Sequence, residues 1–522
     1  MMKWAKDGGW PLALVWAGLI VRLAFYATML PLWEPMDEWA HFAVVQSTAI
    51  RGELLARRER PIPRNIEASL GLAPLPWELR RFASPSVTHD NWWQLPEMER
   101  RARIEALRAI PESWAREDGS GAFSNYEAQQ PPLYYWTAAP LVWLMRGWSL
   151  ASQVVALRWL TALLASLTLP LVYRIAGELF ADRRMALGCA AVLAVMPGFA
   201  GAVARVSNDG LAAPLYALLL WTVLRYWRKP SAAAACAVGT ALGLALLTKA
   251  YFLTAAPVAV ALLLWCRSTR RAGLAACSIP LLTAGWWYLR SLLADGSLLT
   301  TGSMSGLEAS PASVLKNVPS VPWVRAVDAI LFSHIYCLGW SWLTVRSWMY
   351  HTFYILLALA VVGLAPWLRR PGMRWLLAFY AFFCAGELWH AALMYTARGI
   401  PASMGWYLYG AVAAEVPLAV AGLSTWLPAW LRQWAAPVCA ALFAALDLFA
   451  MHVLALPYYA GLIRHASDGS LHFAHWNTLN LPLAFARLTL PAALWIAYVV
   501  ASAGVVILAI RNSGRKNGFA AY

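Results

Sequence analysis

Charge is scarce in this chain: 13% of its 522 residues are Asp, Glu, Lys or Arg, and only 26 are acidic. With 61% hydrophobic residues and a mean hydropathy of +0.53, that scarcity excludes a soluble globular domain and marks an integral membrane protein. Cysteine is also sparse. The seven residues Cys189, Cys236, Cys266, Cys277, Cys337, Cys384 and Cys439 fall mainly in apolar stretches, show no CxxC spacing, and leave the long polar segment near the N-terminus without any. A disulfide framework and a zinc site are therefore not implied, and small apolar packing residues are expected. No internal repeat or low-complexity tract is evident. The first apolar run, within Met1 to Trp33, lacks a clear small-residue cleavage site, so a retained first helix is expected in place of a signal peptide.

What the chain has in quantity is tryptophan, 31 residues of it, which suits many interfacial belts because indole rings prefer the headgroup level. Its net charge of +16 comes mostly from short loops between apolar runs: Lys3 and Lys6, Arg183 and Arg184, Arg228 and Lys229, Arg267 with Arg270 and Arg271, Arg369 with Arg370 and Arg374, Arg432, and Arg511 with Arg515 and Lys516. This recurrence identifies a cytoplasmic face by the positive-inside rule and removes the need for a nucleic-acid partner. Apolar runs near 10–31, 153–178, 185–205, 211–227, 233–248, 250–266, 272–290, 348–367, 374–394, 407–427, 434–455 and 488–510 predict an all-α polytopic bundle of about twelve transmembrane helices. An even number places both termini in the cytoplasm.

Under this topology a single membrane domain spans 1–522, and its outer surface receives the segment 32–152, the Ser207-Asn208-Asp209-Gly210 turn, the Lys249 turn, and loops at 291–347, 395–406 and 456–487. Pro- and Arg-rich stretches in 32–152 predict short amphipathic helices lying at the membrane surface as a cap on the bundle.

The cap opens with Glu34-Pro35-Met36-Asp37-Glu38-Trp39-Ala40-His41-Phe42 and closes with Tyr126-Glu127-Ala128-Gln129-Gln130-Pro131-Pro132-Leu133-Tyr134-Tyr135-Trp136. Carboxylates at a helix exit sit where a lipid headgroup and an aqueous substrate meet. Asp37 alone fits a helix cap, a role worth about 1 kcal/mol. Two adjacent carboxylates with Glu34 and His41 exceed that need. A helix from Asp37 brings Asp37 and His41 to one face at i, i+4, as a base with an orienting partner or, with Glu38, a weak metal site. Lys249 interrupts an apolar stretch, and a charge at membrane depth costs about 2.5–3.5 kcal/mol on insertion scales. Snorkelling to the interface is the bland reading of it; phosphate binding, with the outward-placed Arg205, Arg290, Arg346 and Arg398, is the functional one.

The string Pro131-Pro132-Leu133-Tyr134-Tyr135-Trp136 resembles the Pro-Pro-Leu motif of the C-type membrane glycosyltransferases that use polyprenyl-phosphate sugars, among them the protein O-mannosyltransferases of family 39 and the lipid A aminoarabinose transferases. Asp37-Glu38 resembles their acidic first loop. Leu157-Arg158 is similar to the opening of their second helix, Ser207-Asn208-Asp209 to the turn after their third, Gly243-Leu244-Ala245-Leu246-Leu247-Thr248-Lys249 to their Gly-Leu-Ala-Leu-Leu-Thr-Lys turn, and Trp287-Tyr288-Leu289-Arg290 with Gly296 to the end of their seventh helix. The motifs run in order over about 30–300. Two positions depart from the pattern: Gln130 stands where many relatives have His, and Trp406, in Met404-Gly405-Trp406-Tyr407-Leu408, where related members have Arg.

The resemblance implies sugar transfer from a polyprenyl-phosphate donor to a glycan, lipid or protein hydroxyl at the outer, periplasmic face of the cell membrane, as in cell-envelope glycosylation. Asp37, or Glu38, would act as base with inversion at the anomeric carbon; Glu127 would share that work or orient the acceptor; Lys249, Arg205 and Arg290 would hold the donor phosphate; and His41, Gln130, Tyr134, Tyr135 and Asp209 would position acceptor or sugar. A trio of Asp37, Glu38 and His41 is of a type that holds Mg²⁺ or Mn²⁺, with a metal-free reaction the equal alternative. Twelve helices and intramembrane charges also fit a secondary transporter or flippase, and a non-catalytic protein that binds lipid-linked sugar in membrane assembly is a third reading.

Overall fold

The computed structural model describes residues 9–53, 60–82, 87–295, 309–473 and 479–514. Lys3, Lys6, Gly296, Arg515 and Lys516 lie outside them. Each of the twelve expected runs is helical. Among the described residues, eight helices are long and apolar enough to cross a membrane, and a ninth crossing results if Arg183–Val195 and Pro197–Val203, bent by 60°, form one span. Asp209–Arg228 adds a helix of 20 residues that is charged at both ends. Ala232–Leu246 is only 15 residues long, about 22 Å, which is short of a 30 Å hydrocarbon layer. The apolar stretch Ala250–Trp265 is shorter than a span as well. Length and composition therefore support eight or nine of the twelve expected crossings. The described residues hold no β-strand, only isolated bridges such as Pro61 with Ser124 and Pro63 with Asp118 in the cap.

Small residues set the tightest packing. A Cβ on Gly210 would collide with Thr161 of the helix Leu150–Ser166, and one on Gly243 with Thr283 of Arg270–Asp295. Both glycines sit beside residues of the recognised motifs, so part of each motif is a packing requirement.

The bend at 196–197 was not foreseen, although its cause is in the sequence: Pro197 starts a helix and has no N–H to continue the preceding one. The bend leaves the Ala194 and Val195 carbonyls without donors from the next helix, and Arg22 takes both. The same guanidinium pairs with Asp447 at 2.7 Å, both side chains fully buried, while Tyr26 and Tyr498 donate to the Asp447 carboxylate at 2.5 and 2.6 Å and Ser502 accepts from Arg22 Nε at 3.1 Å. A charge at this depth persists only when paired. The network fastens Gly9–Met29 to Ala435–Phe449 and Ala492–Gly514.

Between the first two spans the cap folds into short helices, among them Glu38–Arg51, Arg64–Leu72 and Glu97–Arg108, the last with no buried residue. Its apolar side chains, including Trp33, Trp39, Phe42, Ile62 and Ile66, form a cluster shared with Tyr134, Leu157 and Val206 of the bundle. Later loops lock it down: Glu34 accepts from Ser341 N and Oγ at 2.9 Å, and Asp90 accepts from His465 N at 2.6 Å.

The helix Asp209–Arg228, about 30 Å long, separates two ends of the bundle. At its far end Arg228 pairs with Glu178, Arg370 donates to Leu179 O at 3.0 Å, and Tyr226 hydrogen-bonds Thr269 at 2.7 Å. The basic loops around 183, 228, 270 and 370 thus gather at one end, and Asp209 lies at the other.

Candidate active site

Around Asp209 the recognised motifs converge. The prolines Pro131 and Pro132 leave the helix Leu133–Leu144 to start at Leu133, whose N–H donates to Leu247 O at 3.0 Å, docking the Pro-Pro-Leu string on the Lys249 turn. Asn208 then clamps both, donating to Gln130 Oε1 and to Thr248 O at 3.2 Å each. The helix Ala232–Leu246 ends just before Lys249, which opens a 3-10 turn, so this lysine stands between two helical pieces and does not interrupt one.

Lys249 Nζ pairs with Asp209 Oδ1, while Arg205 Nη2 binds Asp209 Oδ2 at 2.9 Å. Lys249 has no acidic neighbour in sequence; its carboxylate comes from Asp209, forty residues earlier, which serves both cations. Ser207 Oγ adds a hydrogen bond to Asp209 at 3.0 Å. The ammonium also faces the rings of Tyr251 and Tyr407, at 5.1 and 5.3 Å. At 7% exposure it is buried, so it does not snorkel into open water.

Arg205 carries the cluster to the cap by donating to Met36 O at 2.6 Å, one residue before Asp37. Asp37 has φ 58°, a left-handed conformation costing a non-glycine residue of order 1 kcal/mol or more. It stands at the start of Glu38–Arg51, yet its side chain caps nothing. Instead its Oδ1 accepts from Tyr126 OH at 2.7 Å. Burial raises the Asp37 carboxyl above its ordinary value, against the pull of Arg205, the Tyr126 hydrogen bond and Lys249. Beside Tyr126, Glu127 is pushed further, to about 8, by burial and then by the charge of Asp37. Among the described residues its Oε2 has no hydrogen-bond partner, and it lies 3.9 Å from His41 Nε2.

His41 was expected to orient Asp37; it does not touch it. Its Nδ1 meets Tyr135 OH at 2.8 Å and its Nε2 meets Ser207 Oγ at 3.5 Å, because the left-handed turn at Asp37 takes that carboxylate off the helix face. Burial and the nearby Lys249 and Arg205 charges hold this imidazole well below its usual pKa, hence neutral.

Glu38 requires the larger correction. It is wholly buried in a two-pronged ion pair with Arg158, Nε to Oε1 at 2.6 Å and Nη2 to Oε2 at 2.5 Å, and accepts from Val206 N at 3.2 Å. Arg158 spends its remaining donors on the carbonyls of Ala27, Leu30 and Pro31. Glu38 thus braces the cap helix Glu38–Arg51 against Leu150–Ser166 through Arg158 and is taken up away from Asp37. With it so engaged, the trio Asp37, Glu38 and His41 does not converge, and among the described residues no group of three His, Cys, Asp or Glu side chains is placed to hold a metal ion. Glu38→Ala is expected to leave Arg158 unpaired and cost about 3–5 kcal/mol of stability. Thermal unfolding of the purified protein measures it, and an unchanged midpoint would remove the brace.

Residues 129–289 match the dolichyl-phosphate-mannose-protein mannosyltransferase family model. The matched stretch contains Gln130 to Trp136, Arg158, Arg205, Asp209 and Lys249, in line with the resemblance carried by the motifs. No curated protein matches the chain. Among solved structures, ArnT from Cupriavidus metallidurans in the apo state aligns with TM-score 0.48 at 15% identity, covering 98% of this chain and 77% of that one. The same protein bound to undecaprenyl phosphate aligns with TM-score 0.46 at 17% identity, over 97% and 77%. The archaeal oligosaccharyltransferase AglB from Archaeoglobus fulgidus, in complex with an inhibitory peptide and a dolichol-phosphate, aligns with TM-score 0.40 at 14% identity, over 96% and 56%.

The other expected residues divide. Tyr134 hydrogen-bonds Thr161 at 2.7 Å and is fully buried, a packing contact between helices. Arg290, half-buried on Arg270–Asp295, lays its guanidinium over the Trp287 ring at 5.1 Å, a contact outside the Asp209 cluster. Tyr126, Tyr251 and Tyr407 were not among the candidates. Near them Ser403 donates to Glu387 and meets His390 Nδ1 at 2.8 Å, and the His390 ring lies 6.0 Å from that of Tyr407. A Glu and a His three residues apart inside an apolar run were the available signal for this group.

Proposed function

We propose that the protein transfers a sugar from a polyprenyl-phosphate donor to an acceptor hydroxyl at this cluster, with inversion at the anomeric carbon. The observation that carries the proposal is the contact chain Asp37, Met36 O, Arg205, Asp209, Lys249, which brings a strained, non-capping carboxylate and a buried lysine to one end of a membrane bundle. Lys249, an N–H of which goes to Asp209, turns its remaining donors to the donor phosphate. As the glycosidic bond breaks, negative charge grows on that phosphate, and a preorganised cation stabilises it more in the transition state than in the ground state. Asp37 takes the proton of the attacking hydroxyl. Glu127, protonated near neutral pH, donates a hydrogen bond to the acceptor in place of acting as a second base. The donor's isoprenoid chain lies along the outside of the bundle.

Incubating the purified protein with a panel of polyprenyl-phosphate sugars tests the reading. Release of free polyprenyl phosphate with matching loss of donor is expected for at least one sugar. Intact donors throughout, with lipid-linked sugar appearing in the opposite leaflet of proteoliposomes, would replace transfer by transport.

The cluster belongs on the outer face and both termini in the cytoplasm, because the basic loops gather at the opposite end. In intact cells, with the exposed Cys236 replaced, Met98→Cys should react with a membrane-impermeant thiol reagent and Arg270→Cys only after permeabilisation. Labelling of both from the same side would sink the topology.

A further inference from the structure

Glu387 and His390 lie one turn apart on Pro371–Arg398, the first buried and the second half-buried, while Leu388 and Trp389 between them are exposed. Gly399, in a left-handed conformation, ends that helix and turns the chain back, so that the buried Ser403 reaches both side chains. The contacts fix where the hydrogens go. The Ser403 hydroxyl donates to Glu387 Oε1, so its oxygen is left to accept, and the 2.8 Å contact with His390 Nδ1 makes that nitrogen the N–H donor. In the neutral ring Nε2 is then a bare acceptor. Glu387 Oε2 is a second one: among the described residues neither atom has a hydrogen-bond partner, although Glu387 is only 7% exposed. A desolvated carboxylate oxygen without a donor is costly, and a ligand that brings the donor removes the cost.

This pair of acceptors borders the Asp209 cluster. The His390 ring stands 6.0 Å from the Tyr407 ring at an interplanar angle of 86°, and Lys249 Nζ lies 5.3 Å from that same tyrosine ring. The Lys249 charge acts on Glu387, and the charges of Asp37, Glu127, Glu387 and Asp209 all act on Tyr407. Tyr407 thus stands between the two acceptors and the groups assigned to phosphate and base. We propose that Glu387 Oε2 and His390 Nε2 receive two neighbouring hydroxyls of the transferred sugar, so that the subsite selects donors with an unsubstituted vicinal diol. This rests on the sugar-transfer reading of Lys249 and Asp37. Two acceptors at i, i+3 fit a ligand that presents two O–H donors, and the Glu387 charge turns away a second phosphate or a carboxylate. The bond to Glu387 is charge-assisted, and the Tyr407 ring offers an apolar face to the C–H groups of the sugar.

Binding to the full chain in detergent tests the subsite, with undecaprenyl phosphate and its mannosyl, glucosyl and galactosyl derivatives as probes. At least one sugar is expected to raise the affinity above that of undecaprenyl phosphate itself. Removing either hydroxyl of one vicinal pair from that sugar should lower it again by about tenfold or more. E387Q keeps an oxygen for Ser403 and turns the free acceptor into a donor; H390N keeps the Nδ1 position and deletes Nε2. Each variant should lose the sugar's contribution to affinity and bind undecaprenyl phosphate as wild type does. No contribution from any of the three sugars, a contribution that either variant retains in full, or an equal loss for sugar-free undecaprenyl phosphate would each overturn the proposal. Should E387Q fail to fold, H390N decides. Release of undecaprenyl phosphate scores the transfer reading separately. A contribution lost in both variants of a protein that transfers nothing keeps the subsite and sinks transfer, whereas turnover with that contribution intact in both does the reverse.

Discussion

Asp37→Asn is expected to lower sugar transfer by about 10²–10⁴-fold while the fold and the affinity for the donor persist, because the change keeps size and removes only the proton acceptor. The structure removes the chief competing explanation: Asp37 caps no helix, so asparagine forfeits no cap. The pH profile gives an independent check. Transfer should rise as Asp37 loses its proton, at a pH above the usual carboxylate range because burial raises that group. It should fall again as pH climbs through about 8, where Glu127 gives up the proton that burial and the Asp37 charge help it keep. Glu127→Gln imitates the protonated form and should flatten the alkaline limb. The two carboxyls titrate as a pair, so the apparent values belong to both. Near-normal turnover in Asp37→Asn with a verified donor would move the base to another group.

Lys249→Ala is expected to weaken donor binding and to slow the bound complex as well, by about 10²–10³-fold in turnover if it is the principal cation at the departing phosphate. Asp209 sharpens the test. Without the lysine, its carboxylate keeps Arg205 as its ionic partner and adds negative charge where the donor phosphate must sit. Asp209→Asn in the Lys249→Ala background should therefore restore part of the donor affinity. A purely structural lysine would behave otherwise: destabilised protein, but unchanged donor affinity and turnover in the fraction that folds. Arginine at 249 keeps the charge but not the compact ammonium that fits between Tyr251 and Tyr407.

The helical bundle was legible because a span needs about twenty apolar residues and the basic loops punctuate them. The motif order was legible too, and Leu133 N to Leu247 O and Asn208 to Thr248 O show why the strings sit where they do: they hold one another. The partition of Asp37 from Glu38 was not legible. Adjacent carboxylates look alike in sequence, and what separates them is a left-handed turn at a non-glycine residue, imposed by surroundings that include Arg158, 120 residues away. Pairings of that range carry no local signal. Lys249 with Asp209 and Arg22 with Asp447 are of the same kind, each joining side chains that sequence shows only as isolated charges near or within apolar runs. The short helix Leu133–Leu144 was not among the twelve expected spans because its 12 residues fall below the length that marks one.

The most direct test of the account is an experimental structure of the protein with polyprenyl phosphate bound. The phosphate is expected within hydrogen-bond distance of Lys249 Nζ, with the Asp37 carboxylate facing the space in front of it where sugar and acceptor would lie. A phosphate held at Arg290, or anywhere else remote from the Asp209 cluster, would contradict it.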